Sequence, residues 1–99
     1  MAVKILIKRK FKDGNMQAAS RFIINTRTGA MKRPGYIASE NLRNLKDRDQ
    51  ILVVSMWETL EDWEAWKNSD ERKAYIDEFR DYYVGEAQYE YYSLGLQLE

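Results

Sequence analysis

Three tryptophans are the side chains of this sequence best suited to binding a flat organic molecule. Trp63 and Trp66 are three residues apart on a predicted short helix, so they lie on one side of it. One of them is expected to dock the helix onto the fold, which leaves the other free to form the wall of a cavity. Trp57 ends an apolar strand and is interpreted as a core residue.

The residue types that are missing exclude several classes of catalysis. The 99 residues contain no cysteine and no histidine. There is therefore no disulfide framework, no thiolate nucleophile, no Cys- or His-ligated metal and no Ser-His or Cys-His dyad. The carboxylates Glu61, Asp62 and Glu64 are typical of a solvated helix face rather than an acid/base pair. Any chemistry must use aromatic, carboxylate, amide or Arg/Lys side chains.

The formal net charge is zero, but the two halves of the chain differ in sign. Residues 1–57 carry twelve Lys/Arg against four Asp/Glu, and residues 58–99 carry four against twelve. The basic cluster of Lys8, Arg9, Lys10 and Lys12 resembles a nucleic-acid footprint. Because a neutral chain lacks long-range attraction to phosphate, we interpret the halves as cancelling within the fold or across a dimer. We expect no nucleic-acid partner.

The length fits one domain, which we assign to residues 1–97. Leu98 and Glu99 have the composition of a cloning scar and are left out of the functional interpretation. No apolar run approaches the ~20 residues of a membrane-spanning helix, and the N-terminus has no secretory pattern. We therefore expect a soluble, cytoplasmic protein without a membrane partner.

The apolar pattern predicts the element order β-α-β-β-α-β. Asn15, Thr59 and Ser69 are expected helix caps, and Gly85 is expected to end the last helix. The predicted strands are 3–8, 36–45, 51–57 and 88–96, and the predicted helices are 16–31 and 60 to about 83 with a break at 68–70. This order indicates an α+β, ferredoxin-like fold, with helices on one face of a four-stranded antiparallel sheet.

The third strand, Ile51 to Trp57, is apolar on both faces, whereas a sheet with one wet face should alternate. Helices must cover one face, and we expect a second copy of the chain on the other. On the second strand, Ser39, Asn41 and Arg43 share a face, and Tyr36 lies on the opposite one. One choice of strand faces gives a predicted core of Val3, Ile5, Ile7, Phe22, Ile23, Ile51, Val53, Trp63, Ile76 and Phe79. The alternative is that the strands turn their other faces toward the helices, which would bury the complementary strand residues instead.

Three stretches of the sequence resemble the antibiotic biosynthesis monooxygenase domain family: 34–37, 51–58 and 63–69. The most specific part runs from Trp57 to Ser69, in which the spacing of Trp57, Trp63, Trp66 and Ser69 is similar to that of the family. The resemblance covers about residues 2–92. It implies a dimeric α/β barrel, in which two sheets pack face to face, and hence a homodimer formed through the sheet face.

The resemblance also implies an activity. Cofactor-free oxygenases of the family bind aromatic phenols or hydroquinones, whose anions react directly with O₂ in a dry, hydrogen-bonding pocket. The family match favours Trp66 as the aromatic wall of the cavity. Residue type and expected proximity add three candidates: Asn41 and Arg43 as polar contacts, and Tyr75 as a hydrogen-bond donor or proton relay. We predict a monooxygenase without a cofactor or metal, acting on a small aromatic ligand between sheet and helices. No catalytic residue is assigned.

Three other functions are weighed against this prediction. A non-catalytic binding or accessory protein of the same fold stays open as the alternative. Haem-opening members of the family use an asparagine, a tryptophan and an axial histidine, and here Trp66 matches whereas Ile7 and Ile76 stand at the other two positions. RNA-binding domains of the same element order need aromatic residues in the middle of their first and third strands, where this sequence has none.

Overall fold

Four strands form one antiparallel sheet in the computed structural model of the protein, which describes residues 1–95. The strands are β1 (Val3–Phe11), β2 (Tyr36–Arg43), β3 (Gln50–Trp57) and β4 (Tyr83–Ser93), in the spatial order β2-β3-β1-β4. The helices are α1 (Met16–Met31), α2 (Leu60–Lys67) and α3 (Asp70–Glu78), followed by a 3₁₀ turn at Arg80–Tyr82. The predicted ferredoxin-like fold is confirmed, with its second helix divided in two. The assignment of Leu98 and Glu99, and the end of the last predicted strand at Leu96, lie outside the described residues.

The helices pack on the face of the sheet that carries Ile5, Ile7 and Val53, which we call the helix-side face. In the sheet register, Ile7 stands opposite Val53 and Ile5 opposite Ser55. The strand faces in the predicted core are therefore the ones that meet the helices, and the complementary choice is excluded. The predicted core residues that are buried are Ile5, Ile7, Phe22, Ile51, Trp63 and Phe79. The others, Val3, Ile23, Val53 and Ile76, pack against these at partial burial.

Two of the three predicted helix caps are present. The Thr59 hydroxyl accepts a hydrogen bond from the Asp62 backbone N–H at 3.1 Å, and the Ser69 hydroxyl accepts one from Arg72 at 3.2 Å. Asn15 makes no capping bond, because its side-chain amide donates to the carbonyls of Lys12 and Asp13 in the preceding turn. The caps thus fix the start of α2, which carries Trp63 and Trp66, and the start of α3, which carries Arg72.

The last helix ends earlier than predicted, and the last strand starts earlier. Tyr83 begins β4, where it pairs with Phe11. Its ring is buried against Phe11 and Phe22, with ring centroids 6.1 and 6.2 Å apart. Because the ring is buried in this arrangement, Tyr83 belongs to strand β4 and not to the last helix. Gly85, with φ +65°, lies inside β4 where the pairing with β1 shifts register, so the predicted helix stop is a β-bulge.

A second register shift changes the face on which Tyr36 lies. The pairing of β2 with β3 slips between Tyr36 and Ala38. One extra residue in a strand reverses the alternation beyond it. The Tyr36 hydroxyl therefore hydrogen-bonds the Ser39 hydroxyl at 2.7 Å, and its ring meets Trp57 edge-on at 5.5 Å. The predicted placement of Tyr36 on the face away from Ser39 is wrong for this reason.

Close contact at Gly29 brings α1 against the end of α2. Gly29 is buried on α1, and a Cβ atom there would lie 2.6 Å from Cη2 of Trp66 and 2.5 Å from a Glu71 carboxylate oxygen. No other residue type fits without moving these side chains. Helix packing at this point holds the Trp66 ring in place against the sheet.

The other face of the sheet, which we call the open face, is apolar in its centre. Its apolar side chains are Leu6, Leu42, Leu52, Val54 and Met56, of which Leu42 is 46% exposed. Charged residues surround them: Lys4, Lys8, Glu40 and Glu90. The helices of residues 1–95 pack on the helix-side face, and none of them has the length and hydropathy of a membrane-spanning segment.

Candidate functional site

A cavity of about 60 Å³ lies between the helices and the helix-side face of the sheet. All three tryptophans of the chain, Trp57, Trp63 and Trp66, contribute to its lining. Ile7 and Val53 form its floor on the central strands. The site is thus an aromatic and aliphatic pocket inside one protomer, the kind of environment that accepts the apolar part of a small organic molecule.

Polar side chains of β2 and β3 form one end of the cavity, which we call the amide end. Tyr36 and Ser39 are joined through their hydroxyls, and the indole N–H of Trp57 donates to the Ser55 hydroxyl at 3.2 Å. Asn41 lies beside them on the outer strand, is exposed and forms part of the mouth. The amide end thus offers both donors and acceptors next to solvent.

Two buried arginines form the opposite end, which we call the arginine end. Arg72 is 5% exposed, and its Nη2 donates to the Tyr89 hydroxyl at 3.0 Å. Its guanidinium lies 5.3 Å from the centroid of the Trp63 ring and 5.7 Å from that of Tyr89. Arg72 is thus held between the start of α3 and strand β4, with its charge against aromatic faces.

Arg9 reaches the same end from β1. It is 7% exposed, and its guanidinium lies 4.6 Å from the centroid of the Tyr83 ring and 5.1 Å from that of Phe22. Burial lowers the pKa of Arg9, and the nearby charge of Arg72 lowers it further, whereas Tyr89 and Tyr83 raise it. The Arg9 guanidinium nevertheless stays protonated at neutral pH, since arginine is not deprotonated in proteins.

One further donor in the lining has no acceptor. The Trp63 side chain is 1% exposed, and its indole N–H finds no hydrogen-bond acceptor among residues 1–95. A buried donor without an acceptor is rare, and it destabilises the fold by the full cost of its desolvation. The cavity therefore combines buried cationic donors with one unused neutral donor. In the described part of the chain, no group of three or more His, Cys, Asp and Glu side chains could hold a metal ion.

The structure brings two of the four candidate residues to the cavity. Trp66, 3% exposed, forms part of its wall, and Asn41 forms part of its mouth. Arg43 lies outside the lining, because its Nε donates to the Arg48 carbonyl in the loop after β2. Tyr75 also lies outside, with its hydroxyl donating to Glu71 at 3.3 Å and its ring packed on the core. Burial, followed by the charge of Glu71, raises the pKa of Tyr75.

The two buried arginines of the cavity, Arg9 and Arg72, are absent from the sequence-based candidates. Arg9 continues the alternation of Ile5 and Ile7 along β1, so its parity is a signal that it lies on the helix-side face. The surrounding basic cluster hides this signal, since its other members, Lys8 and Lys10 among them, fall on or beside the open face. Arg72 stands among charged residues of α3, and no periodic pattern marks it as buried.

Comparison with proteins of known structure identifies the fold. A Bordetella bronchiseptica protein named for the antibiotic biosynthesis monooxygenases aligns with a TM-score of 0.85 at 12% identity, over 96% of this chain and 98% of that one. SnoaB, a cofactor-independent oxygenase from Streptomyces nogalater, aligns at 0.82 and 10% identity, over 98% and 96%. A conserved protein from Methanosarcina mazei aligns at 0.83 and 15% identity, over 93% and 91%.

The family assignment rests on the sequence itself. No curated protein matches the chain in sequence. Residues 3–78, however, match the family model described as antibiotic biosynthesis monooxygenase. This range contains β1, α1, β2, β3, α2 and α3, and with them Arg9, Asn41, Trp66 and Arg72 of the cavity lining. The chain therefore belongs to the antibiotic biosynthesis monooxygenase family.

Proposed function

We propose that the protein is a cofactor-independent monooxygenase that oxidises a phenol or hydroquinone bound in the cavity. The observation that supports this proposal is the cavity itself: three tryptophans line it, together with two buried arginines, and the indole N–H of Trp63 has no acceptor among residues 1–95. Membership of the family and the likeness in fold to SnoaB, a cofactor-independent oxygenase, support the same activity. Trp66 is the aromatic wall for the ring, and Asn41 is a polar contact at the mouth.

The proposed reaction needs no redox group beyond the substrate. A hydroquinone loses a hydroxyl proton, and its electron-rich anion transfers electrons to O₂. One oxygen atom forms a bond to a ring carbon, the other leaves as water, and the ring ends as a hydroxyquinone. The four electrons that O₂ takes up come from the substrate alone. The protein's contribution is a dry pocket with donors placed where negative charge develops.

The size of the cavity limits the substrate. A cavity of about 60 Å³ is smaller than the ~150 Å³ that holds a benzene molecule in a protein core. Binding of an aromatic ring therefore requires the lining to open. The lining is exposed at Asn41 and Arg27, which places the opening between β2 and α1. We infer that a single ring fits this site better than a polycyclic one.

We also propose that the protein is a homodimer formed through the open face. The five apolar residues of that face lie on three strands and lack a covering element among residues 1–95. Its lysines and glutamates allow a second copy, related by a two-fold axis, to place opposite charges together. The cavity lies on the other side of the sheet, so the dimer leaves it accessible. Light scattering on a sizing column should give about twice 11.8 kDa.

Oxygen uptake tests the proposed activity. An oxygen electrode records consumption with a panel of monocyclic hydroquinones, with a chelator present throughout to remove adventitious metal. We expect turnover that falls at least tenfold in Trp66→Leu and in Asn41→Ala, by loss of the wall and of a polar contact. The matched control is Asn68→Ala, an exposed amide at the end of α2, which should keep the full rate.

The alternative is a non-catalytic binding protein of the same fold. Binding of the same hydroquinones without oxygen uptake, in a correctly folded protein, would overturn the oxygenase proposal in its favour. Turnover that survives unchanged in both cavity variants would show instead that the reaction takes place elsewhere.

A further inference from the structure

The arginine end of the cavity carries positive charge that residues 1–95 do not neutralise. Arg9 and Arg72 are 7% and 5% exposed and both line the cavity. The ion pairs in this part of the chain are Lys10 with Asp47 and Arg80 with Asp77. Neither buried arginine has a carboxylate oxygen of residues 1–95 within 4.0 Å. Two like charges thus lie at one end of a single cavity.

Aromatic contacts only partly offset the burial of these charges. Removing a guanidinium from water costs more than a few cation–π contacts return. Arg72 uses one of its five N–H groups on Tyr89, and Arg9 packs over Tyr83 and Phe22. Burial, and then the charge of Arg72, disfavours the charged form of Arg9, whereas Tyr89 and Tyr83 favour it. An anion in the cavity would remove this penalty.

The third group at this end is also a donor. The buried indole N–H of Trp63 has no acceptor in the described part of the chain, and an indole offers no acceptor of its own. Arginine likewise offers only donors. A ligand that fits this end must therefore bring acceptors and no N–H or O–H groups. A carboxylate has two oxygens in the geometry of the guanidinium fork, whereas a phenolate has a single oxygen.

We propose that the arginine end binds the carboxylate of a small hydroxylated aromatic acid, with Arg9, Arg72 and the Trp63 indole N–H as its donors. The ring lies against Trp66 and extends toward Asn41, two strand spacings or roughly 10 Å from β1. This assignment rests on the proposed function, because it names the substrate class of the same cavity. It narrows that class from phenols in general to aromatic acids.

Binding of matched neutral and charged molecules tests the assignment in the unmodified protein. Titration calorimetry under nitrogen compares 2,5-dihydroxybenzoate with 2,5-dihydroxybenzamide and hydroquinone at neutral pH. We expect the acid to bind about tenfold or more tighter than the amide, the range of a charge-assisted hydrogen bond. Equal affinity for the acid and the amide overturns the assignment. Tighter binding of inorganic phosphate than of the acid overturns it as well.

Two variants locate the anion within the cavity. Arg72→Gln should lower the ratio of acid to amide affinity severalfold, since it removes one of the two guanidinium forks of the site. The matched control is Arg21→Gln on α1, an exposed arginine outside the lining, which should keep the ratio. A preference that survives in Arg72→Gln and disappears in Arg27→Gln would place the anion at the mouth and overturn the assignment.

Binding and turnover separate this assignment from the proposed function. Selective binding of the acid without oxygen uptake supports the acid site and contradicts the oxygenase proposal. Turnover of hydroquinone with no preference for the acid supports the oxygenase and contradicts the acid site. The calorimetric result does not depend on catalysis, because no oxygen is present.

Discussion

Arg72 and Tyr89 join α3 to β4 through a hydrogen bond of 3.0 Å from the guanidinium Nη2 to the phenol oxygen. The bond lies at the arginine end of the cavity, and the guanidinium is also stacked near the Tyr89 ring. Tyr89 pairs with Ile7 in the sheet, so this contact ties the third helix to the cavity floor. The same tyrosine thus holds the arginine in place and leaves its remaining donors for a ligand.

Loss of this hydrogen bond should weaken the fold measurably. Tyr89→Phe leaves a buried guanidinium without its acceptor, and we expect the free energy of unfolding to fall by about 1–3 kcal/mol. Urea denaturation measures the change. Tyr91→Phe is the matched control, because its hydroxyl meets Lys67 at 3.5 Å on the exposed surface. An equal loss in both variants would contradict a special role for the Arg72 contact.

Gly29 should resist even a single added methyl group. In Gly29→Ala the new Cβ atom would lie 2.6 Å from Trp66. The overpacking cost of about 1–3 kcal/mol exceeds the ~1 kcal/mol that alanine adds in helix propensity. We expect a net loss of unfolding free energy and a shift in tryptophan emission. Thr28→Ala, the neighbouring and exposed position of α1, should not destabilise the protein.

Asn15 and Thr59, which each precede a helix, should respond differently to substitution by alanine. Thr59→Ala removes the acceptor for the Asp62 N–H and should reduce the free energy of unfolding by about 0.5–2 kcal/mol. Asn15→Ala should cost less, since the Asn15 side chain caps no helix. Thermal or urea unfolding of both variants measures the difference. A larger loss at Asn15 would show that its turn contacts matter more than the Thr59 cap.

Tyr75 should make the fold sensitive to alkaline pH. Burial and then the Glu71 carboxylate raise its pKa above the usual 10.0. Above about pH 10 the folded state therefore holds a proton that the unfolded state has lost, and stability falls as pH rises. Tyr75→Phe has no such proton, so it should lose less unfolding free energy than the unmodified protein between about pH 9 and about pH 11.

The Glu71 carboxylate supplies an independent check on this pH effect. Glu71→Gln removes the negative charge that favours the protonated phenol, and it leaves an amide oxygen that can still accept from the phenol. The absorbance difference between a protein and its Tyr75→Phe counterpart reports the titration of Tyr75. This titration should occur at lower pH in Glu71→Gln than in the unmodified protein. An unchanged titration would mean that burial alone sets the pKa.

A charge in the centre of the open face should convert the proposed dimer into monomers. Val54 stands between Leu6 and Glu40 in the sheet register. In Val54→Lys a new ammonium group would be buried at the centre of the interface, where its desolvation costs several kcal/mol even with Glu40 beside it. Light scattering should then give a mass near 11.8 kDa. Ile24→Lys, at an exposed position of α1 away from this face, should keep the oligomeric state.

The fold follows largely from local patterns in the sequence. Alternation along β1 and β3, the helical spacing within α1 and the hydroxyls of Thr59 and Ser69 each act over a few residues, so they predict the elements directly. The element order then leaves one reasonable sheet arrangement. Trp66 is a cavity candidate for the same reason, because the family-like run around it is contiguous in the chain.

The tertiary structure alone decided the content of the cavity. Arg9 and Arg72 are 63 positions apart in the sequence, and each is surrounded there by other charged residues. Their burial depends on the aromatic rings that face them across the core, which no local pattern reveals. Tyr36 and Tyr83 also differ from the prediction because of distant packing. A β-bulge reverses the face of the sheet on which Tyr36 lies, and burial of the large Tyr83 ring places this residue in a strand instead of a helix. The sequence determined which elements form, and the packing between distant elements determined which charges meet inside them.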